Sequence, residues 1–235
     1  MSPTIPGPAP LERDSRQRGI IPPDRLACCH ALVIGVGAIG RQVALQLAAV
    51  GVPQMTLFDD DIVGPENLAP QGYFADDIGG RKVLATAELC RRLHPAIEVQ
   101  AVTERFKRSS ASQISRGKRL AVFACVDRIG TRRLLWESLR HQVAFFVDGR
   151  MSAEVVRVLA VAIPATDHHY ASTLFGDTEA FTGPCTARAT IYTASIAAGL
   201  MVGQWTRWLR DLPVDADLML NLLASELTVA TPTSL

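Results

Sequence analysis

Three carboxylates, an amide and a lysine follow a glycine-rich turn in this chain, in an order that suits the binding of a nucleotide and a metal ion. The turn is Gly35-Val36-Gly37-Ala38-Ile39-Gly40, a G-x-G-x-x-G spacing. Its glycines let phosphate groups approach the backbone, and the helix that follows offers unpaired N–H groups to an anion. Asp59 lies 19 residues after Gly40, where a carboxylate can accept hydrogen bonds from ribose hydroxyls. The turn alone is a weak signal, because nicotinamide, flavin and ATP enzymes all use it.

The polar residues that follow Asp59 distinguish between these classes of enzyme. In chain order they are Asp61, Asn67, Lys82, Asp127 and Arg128. A site that binds the phosphates of a nucleotide requires cations and a metal more than a proton shuttle. Lys82 can meet phosphate oxygens, Asn67 can bond ribose or phosphate, and Asp127 can hold Mg²⁺.

These polar residues also have structural interpretations. Lys82 can be a solvated helix residue, Asp127 can cap the helix that follows it, and Asp61 can cap a turn. His168 and His169 have no cysteine nearby in the sequence, and we interpret both as solvated.

Regular elements are needed to bring the site residues to one edge of a sheet. Residues 31–34 and 55–58 predict the first two strands, and 39–48 carry the apolar stripe of a helix packed on a sheet. Further patterns predict strands at 98–103, 120–126, 143–148 and 155–163 and helices at 81–93, 131–141 and 186–209. Residues 218–229 fit a strand or a short helix, and we favour the strand. The prediction is an α/β, Rossmann-like ATP-binding domain with a mostly parallel central sheet and a crossover segment before a long C-terminal helix.

Length, charge and hydropathy restrict the class of protein. The chain has 235 residues and a formal net charge of +1, so no global field attracts nucleic acid or a membrane. No apolar run reaches the roughly 18 residues of a transmembrane helix. Residues 1–12 lack the apolar region of a signal peptide, and we predict a disordered lead-in and a cytoplasmic protein. Residues 13–230 then form one domain, with an irregular crossover segment at about 165–185, and 231–235 form a tail.

The cysteines fall into two groups. No C-x-x-C pair is present, which argues against structural zinc. Cys28, Cys90 and Cys125 lie among apolar residues, and we predict that they are small core residues. Cys185 follows the irregular segment and precedes a long helix, where the helix N-terminus and Arg188 would both favour its thiolate. It is a candidate nucleophile, and the alternatives are a former zinc ligand or an ordinary loop residue.

Together the motifs resemble the ThiF/MoeB family of adenylating enzymes, which includes the activating enzymes of ubiquitin and ubiquitin-like proteins. The shared pattern consists of R-x-x-R-Q at 13–17, the glycine turn, D-x-D at 59–61, a segment similar to N-L-x-R-Q at 67–71, Lys82 and Asp127. The resemblance covers about residues 13–210. It implies ATP and Mg²⁺ as cofactors and adenylation of the C-terminal carboxylate of a ubiquitin-like or sulfur-carrier protein ending in Gly. A conjugating enzyme is a further partner that the resemblance suggests.

The resemblance also implies roles for two residues outside the glycine turn. In the family, the second Arg of R-x-x-R-Q reaches into the ATP site of the neighbouring subunit, and Arg16 holds that position. This implies a homodimer with shared sites; the alternative is that Arg16 is a surface charge. Small activating enzymes for autophagy and other ubiquitin-fold modifiers place a thioester-forming Cys just before a helix with a T…A-G pattern, which resembles the position of Cys185.

Departures from the family pattern leave alternatives open. Pro70 stands where the family has Arg, and Arg128 or Arg81 can replace this cation. The zinc cysteines of many members are absent. The alternatives to an adenylating enzyme are a dinucleotide-dependent oxidoreductase and a degenerate, non-catalytic partner subunit, for which Pro70 is the main support.

Overall fold

An eight-stranded sheet forms the centre of the chain in a computed structural model, which describes residues 13–112, 114, 119–174 and 189–230. The strands are β1 Cys29–Ile34, β2 Gln54–Phe58, β3 Glu98–Val102, β4 Arg119–Ala124, β5 Phe145–Ser152, β6 Val155–Val161, β7 Asp217–Asn221 and β8 Glu226–Ala230. They lie in the order β3-β2-β1-β4-β5-β6-β7-β8. Strands β1 to β5 are mutually parallel, and β6, β7 and β8 are each antiparallel to the strand before them. The predicted α/β fold with a mostly parallel sheet is confirmed.

Helices cover both faces of this sheet. Within the described ranges they are α1 Pro23–Leu26, α2 Ala38–Val50, α3 Leu68–Gln71, α4 Lys82–Leu93, α5 Arg108–Ala111, α6 Ile129–Leu139, α7 His169–Ser172 and α8 Ile191–Leu209. Helices α2, α4 and α8 pack on one face, and α6 and α7 pack on the other. None of the helices in the described ranges is long and apolar enough to cross a membrane.

Strand β1 lies between β2 and β4, and all of its residues are buried. Ala31 and Val33 join the core on the α2 face, whereas Leu32 and Ile34 join the core on the α6 face. Burial on both faces explains the continuous apolar run of this strand. Because β2 and β4 are parallel to β1, the carboxyl ends of the three strands meet at one edge. The strand order reverses at β1, which has β2 on one side and β4 on the other, so this edge holds the switch point where open α/β sheets bind ligands.

The C-terminal part of the chain differs from the prediction at its last strand and at the start of α8, and α7 lies within the segment at about 165–185 that was predicted to be irregular. Residues 218–229 form a hairpin of β7 and β8 rather than one strand, because the side chain of Asn221 accepts hydrogen bonds from two backbone N–H groups at 3.1 and 3.3 Å and turns the chain. Helix α8 begins at Ile191 and not at residue 186. It begins there because the hydroxyl of Thr190 accepts a hydrogen bond from the N–H of Thr193 at 3.3 Å and caps the first turn.

The prediction for the cysteines is confirmed only in part. Cys90 is buried and Cys125 is partly buried, but Cys28 is exposed and Cys29 is buried instead. Cys28 precedes β1, whereas Cys29 is the first residue of this fully buried strand. Strand β1 begins two residues before the predicted start at residue 31, and this places Cys29 in the buried strand and Cys28 outside it.

Candidate functional site

The glycine turn joins β1 to α2 at the switch point of the sheet. Gly35 has a φ of +85°, which favours glycine, and a Cβ there would lie 2.8 Å from the carbonyl oxygen of Cys125. A Cβ on Gly40 would lie only 1.8 Å from the carbonyl oxygen of Gly35, so the turn closes only with glycine at this position. A Cβ on Gly37, the N-cap of α2, would meet no described atom within 4 Å. This open space and the free N–H groups of the first turn of α2 suit a phosphate.

The carboxylate of Asp59 holds the glycine turn from the end of β2. Its Oδ2 accepts a hydrogen bond from the N–H of Val36 at 2.7 Å, and its Oδ1 accepts one from the N–H of Asp61 at 2.9 Å. Burial raises the pKa of the Asp59 carboxyl above its usual value, and the two backbone N–H groups partly offset this shift. Each oxygen keeps a second lone pair, so a ribose hydroxyl can still donate to it.

Lys82 begins α4 with its ammonium group beside Asp61. The side chain of Lys82 is 7% exposed, and its Nζ lies 2.9 Å from Oδ2 of Asp61. The backbone N–H of Lys82 also donates to the carbonyl of Asp61 at 3.1 Å, so two bonds fix the lysine against the chain that leaves β2. Lys82 is therefore a buried, oriented cation and not a solvated helix residue. An ammonium group has three donors, which leaves donors for phosphate oxygens.

Asn67 lies in the loop between β2 and α4 and is 9% exposed. Its side-chain oxygen accepts a hydrogen bond from the N–H of Gly64 at 2.9 Å, which leaves the amide N–H₂ for a ligand. The N–H of Val63 donates to the carbonyl of Gly80 at 2.9 Å, so this loop is bonded to the segment that opens α4. Hydrogen bonds thus connect the segment that carries Asn67 to the segment that carries Lys82.

Pro70 lies in the short helix α3 and supplies no cation to the site formed by Asn67 and Lys82. Of the two arginines that can replace the missing cation, Arg81 is exposed and donates to the carbonyl of Asp60 at 2.7 Å. Arg128 is exposed at the N-cap of α6, and its guanidinium group forms no hydrogen bond or ion pair with the described part of the chain. Arg128 is therefore the arginine with its donors available.

Asp127 follows β4 and has an exposed carboxylate that forms no ion pair or hydrogen bond with the residues that the structure describes. The N-cap of α6 is Arg128, so the structure does not support Asp127 as the cap. Free carboxylate oxygens fit Mg²⁺, which prefers oxygen ligands. The carboxylate oxygens of Asp59, Asp60 and Asp61 lie within 4.8 Å of one another, but two of these residues already pair with cations.

The R-x-x-R-Q segment lies at the end of α2 that is distant from the glycine turn. Arg13 donates to the carbonyls of Ala48 and Ala49, both at 2.7 Å, and Gln17 donates to the carbonyl of Val50 at 2.8 Å. These carbonyls belong to the last turn of α2, where the helix itself supplies no i+4 donor. The first Arg and the Gln of the motif therefore fix the segment to α2.

Arg16 is exposed in this segment and forms no hydrogen bond with the described residues. Helix α2 has 13 residues, which gives it a length of about 20 Å. The side chain of Arg16 is shorter than this distance, so it does not reach the glycine turn of its own chain.

Arg41 and Tyr73 join the glycine turn to α4, and neither belongs to the predicted site. The hydroxyl of Tyr73 donates to the carbonyl of Val36 at 2.7 Å and lies 3.1 Å from the hydroxyl of Thr86. Burial raises the pKa of the Tyr73 hydroxyl, so it stays a donor at neutral pH. Arg41 is fully buried under the tyrosine ring and donates to the carbonyl of Gly72 at 3.0 Å. The only sequence signal is an arginine directly after the third glycine of the turn.

A second buried group, the Asp148 cluster, consists of Asp148, Arg132, Arg150 and Tyr170. Asp148 accepts hydrogen bonds from Nε of Arg132 at 2.9 Å, from Nε of Arg150 at 2.8 Å and from the hydroxyl of Tyr170 at 3.1 Å. These residues come from β5, α6 and α7. The cluster is also absent from the predicted site, and its sequence signal is an acid at the end of an apolar run in β5.

The two histidines of the predicted irregular segment differ in their surroundings. His168 is exposed as predicted, but Nε2 of His169 lies 3.3 Å from Oδ2 of Asp217, so the solvated interpretation of His169 is wrong. Arg157 donates to both carboxylate oxygens of Asp217, at 2.9 and 2.6 Å. Cys185 lies outside the described residues, and its role stays a prediction.

The fold and the site define a nucleotide-binding α/β protein with a glycine turn, a buried lysine and a free carboxylate at one sheet edge. The chain belongs to the ThiF family, whose model matches residues 16–229. The predicted resemblance is therefore confirmed at the level of the family.

Individual relatives agree with this membership, and one solved structure shares the fold. The SAMP-activating enzyme E1 of Haloferax volcanii is 33% identical over 126 residues, which are 53% of this chain and 46% of that protein. The molybdopterin-synthase adenylyltransferase of Salmonella typhimurium is 31% identical over 113 residues, which are 48% of this chain and 45% of that protein. The chain thus covers less than half of either relative. The crystal structure of E. coli MccB with ATP matches 97% of this chain and 74% of that chain with a TM-score of 0.73 at 14% identity, which shows a shared fold.

Proposed function

We propose that this chain is an ATP-dependent adenylyltransferase that activates the C-terminal carboxylate of a ubiquitin-like or sulfur-carrier protein ending in Gly. The observation that carries the proposal is the meeting, at one sheet edge, of the glycine turn, the buried ammonium of Lys82 and the free carboxylate of Asp127. A nicotinamide-dependent oxidoreductase requires a proton donor and has no use for a metal ligand at this place. The names of the two relatives, an activating enzyme and an adenylyltransferase, support the same chemistry.

The proposed reaction forms an acyl-adenylate. A carboxylate oxygen of the carrier attacks the α-phosphorus of ATP, the bond from this phosphorus to the bridging oxygen breaks, and pyrophosphate leaves. The N–H groups at the start of α2 and the ammonium of Lys82 stabilise the phosphates and the charge that grows on the leaving group. Asp59 and Asn67 orient the nucleotide. Mg²⁺ held by Asp127 would supply the charge neutralisation that lets two anions meet.

Arg128 completes the proposed phosphate site. The family meets the phosphates with an Arg where this chain has Pro70, and Arg128 has its donors available beside Asp127. A guanidinium group can bond two phosphate oxygens at once. Arg81 is the weaker candidate, because it already donates to the carbonyl of Asp60.

The proposed enzyme is a homodimer in which Arg16 of one subunit serves the site of the other. Arg13 and Gln17 hold this segment at the end of α2 that is distant from its own glycine turn. An exposed guanidinium group on a fixed segment is available to a second chain, whereas it cannot reach a nucleotide bound at the glycine turn of its own chain.

Cys185 is the candidate thiol for a thioester that follows adenylation. Burial raises the pKa of Cys29 to about 11 and that of Cys90 to about 12, and it also raises the pKa of Cys125, so these thiols are poor nucleophiles. Cys28 is exposed but precedes β1, at the sheet edge opposite the glycine turn. A conjugating enzyme would then accept the acyl group from Cys185; without the thioester, the acyl group leaves directly from the adenylate.

A cytoplasmic location belongs to the proposal. The reaction consumes ATP, and the cysteines within the described ranges are free thiols, which suits a reducing compartment.

Calorimetry with ATP and NAD⁺ tests the nucleotide class. We expect ATP to bind, more tightly with Mg²⁺ than without, and NAD⁺ not to compete. Tight NAD⁺ binding without ATP binding would make the chain an oxidoreductase and overturn the proposal.

Pyrophosphate exchange in the presence of purified carrier proteins ending in Gly-Gly tests the chemistry. Lys82→Ala and Asp127→Ala should each lower carboxylate-dependent exchange by about 10²–10³, the loss seen when a preorganised stabilising group is removed. Arg105→Ala is the control, because Arg105 is an exposed cation that pairs with Asp60, and it should retain exchange. ATP binding without exchange for every carrier would instead favour the non-catalytic partner subunit.

A further inference from the structure

The Asp148 cluster places two guanidinium groups around one buried carboxylate, although one cation would neutralise it. The side chain of Asp148 is 0% exposed, and those of Arg132 and Arg150 are 6% and 15% exposed. Burying charges costs free energy that their attraction often does not return, so stability is a poor explanation for such a cluster. The backbone groups that the two arginines bond explain the cluster better.

Arg132 joins the end of β4 to β5 with its whole guanidinium group. Its Nε donates to Asp148 at 2.9 Å, its Nη2 donates to the carbonyl of Gly149 at 2.9 Å, and its Nη1 donates to the carbonyl of Val126. Val126 lies beyond the last residue of β4 that pairs in the sheet. The guanidinium group therefore holds this carbonyl where the sheet has ended, one residue before Asp127.

Arg150 has a different set of partners. Its Nη1 donates to the carbonyl of Thr173 at 3.1 Å, and its Nη2 donates to the hydroxyl of Thr173 at 3.0 Å. These bonds hold the chain after α7 and do not involve β4. Removing either arginine would leave one Asp–Arg pair in the cluster, so the two arginines form a matched pair of positions with different tasks.

We infer that Arg132, held in place by Asp148, is a positioning residue for the metal ligand Asp127. The inference rests on the proposed function, because it takes Asp127 to bind Mg²⁺ together with ATP. The carboxylate of Asp148 orients the guanidinium group, the guanidinium group fixes the carbonyl of Val126, and this carbonyl sets where Asp127 leaves the sheet. Removing a group that orients a metal ligand typically lowers metal affinity by about 10- to 100-fold.

Calorimetry of ATP binding in Mg²⁺ and in EDTA tests the inference. The readout is the dissociation constant in EDTA divided by the dissociation constant in Mg²⁺, which measures how much Mg²⁺ tightens ATP binding. Asp127→Ala defines the ratio expected when the ligand is lost. Arg132→Met should lower this ratio by about 10-fold or more, whereas Arg150→Met should keep the wild-type ratio. Thermal unfolding of both variants should show similar losses of stability, because each retains one pair with Asp148.

The role of Asp148 requires a comparison that avoids two unpaired arginines. Asp148→Ala in the Arg150→Met background leaves one guanidinium group without its orienting partner, and the ratio should fall below that of Arg150→Met alone. Equal ratios for Arg132→Met and Arg150→Met, with ATP still bound, would overturn the inference and leave the proposed function standing. Absence of ATP binding by the wild type would overturn both.

Discussion

Replacing Tyr73 with Phe removes one hydroxyl group from the buried contact between the glycine turn and α4. The tyrosine is 4% exposed, and its ring centroid lies 4.0 Å from Cζ of Arg41. Phe keeps this ring contact. The variant loses the bond to the carbonyl of Val36 at 2.7 Å, the bond with the hydroxyl of Thr86 at 3.1 Å and a longer bond to the carbonyl of Lys82 at 3.4 Å, so it tests the hydroxyl alone.

The magnitude follows from what each partner of the Tyr73 hydroxyl retains. Thr86 keeps Arg41 as a partner at 3.3 Å, whereas the carbonyl of Val36 loses this donor. A buried acceptor left without a donor costs about 1–3 kcal/mol, and we expect the free energy of unfolding to fall by about 2 kcal/mol. Val36 also donates its N–H to Asp59, so the loss loosens the turn itself. If the free energy of ATP binding weakens by about 1.4 kcal/mol as a result, ATP affinity falls about 10-fold.

Urea unfolding followed by tryptophan fluorescence measures the stability of Tyr73→Phe, and calorimetry measures its affinity for ATP with Mg²⁺. Tyr192→Phe is the matched control, because Tyr192 is 50% exposed and its hydroxyl donates to the partly exposed carboxylate of Glu154; neither quantity should change. Wild-type stability and wild-type ATP affinity in Tyr73→Phe would refute the reasoning. A loss of stability with unchanged ATP affinity would refute the link between this hydroxyl and the nucleotide.

Three further predictions concern the subunit contact, the thiol and pH. Mixing Arg16→Ala with Lys82→Ala subunits should restore part of the exchange activity, because one site of the mixed dimer is intact; a fully active monomer would contradict this. Cys185→Ala should retain adenylation and lose the reductant-sensitive adduct with the carrier protein, and an adduct that persists would place the thioester elsewhere. The Arg157 guanidinium lowers the pKa of the Asp217 carboxyl, so this ionisation adds stability above the unfolded-state pKa of about 3.9. This stability is lost as the pH falls through the lower folded-state pKa. Urea unfolding should therefore give the wild type a larger free energy of unfolding than Asp217→Asn at about pH 6, and the two values should approach each other below about pH 3. A difference in free energy that stays constant with pH would contradict the assignment.

The nucleotide half of the fold could be predicted from sequence because its signals are local. Strand β1, the glycine turn, α2 and β2 are contiguous in the chain, and Lys82 stands within one residue of the predicted start of α4. The hairpin of β7 and β8 could not be separated from a single strand, because the turn after Asn221 is itself largely apolar. Its boundary depends on a side chain that bonds the backbone, not on hydropathy.

The buried arginines could not be predicted, because their partners are distant in the chain. Arg41 bonds Gly72 and Thr86, which lie 31 and 45 residues away, and Arg132 bonds Asp148, 16 residues away. An arginine in an amphipathic helix has the same pattern whether it is solvated or buried. Only the packing of the elements shows that these two are buried.

Strands β1 and β8 belong to one hydrogen-bonded sheet but differ completely in burial. All six residues of β1 are buried, and all five residues of β8 are exposed. Hydrogen bonds in a buried strand open only when the domain unfolds, whereas those at an exposed edge open by local fraying. Amide hydrogen exchange should therefore be slowest in β1 and fastest in β8, with a gradient of opening free energies across the sheet. The strands that frame the glycine turn lie at the slow end of this gradient, so the nucleotide site keeps its geometry while the C-terminal hairpin opens and closes.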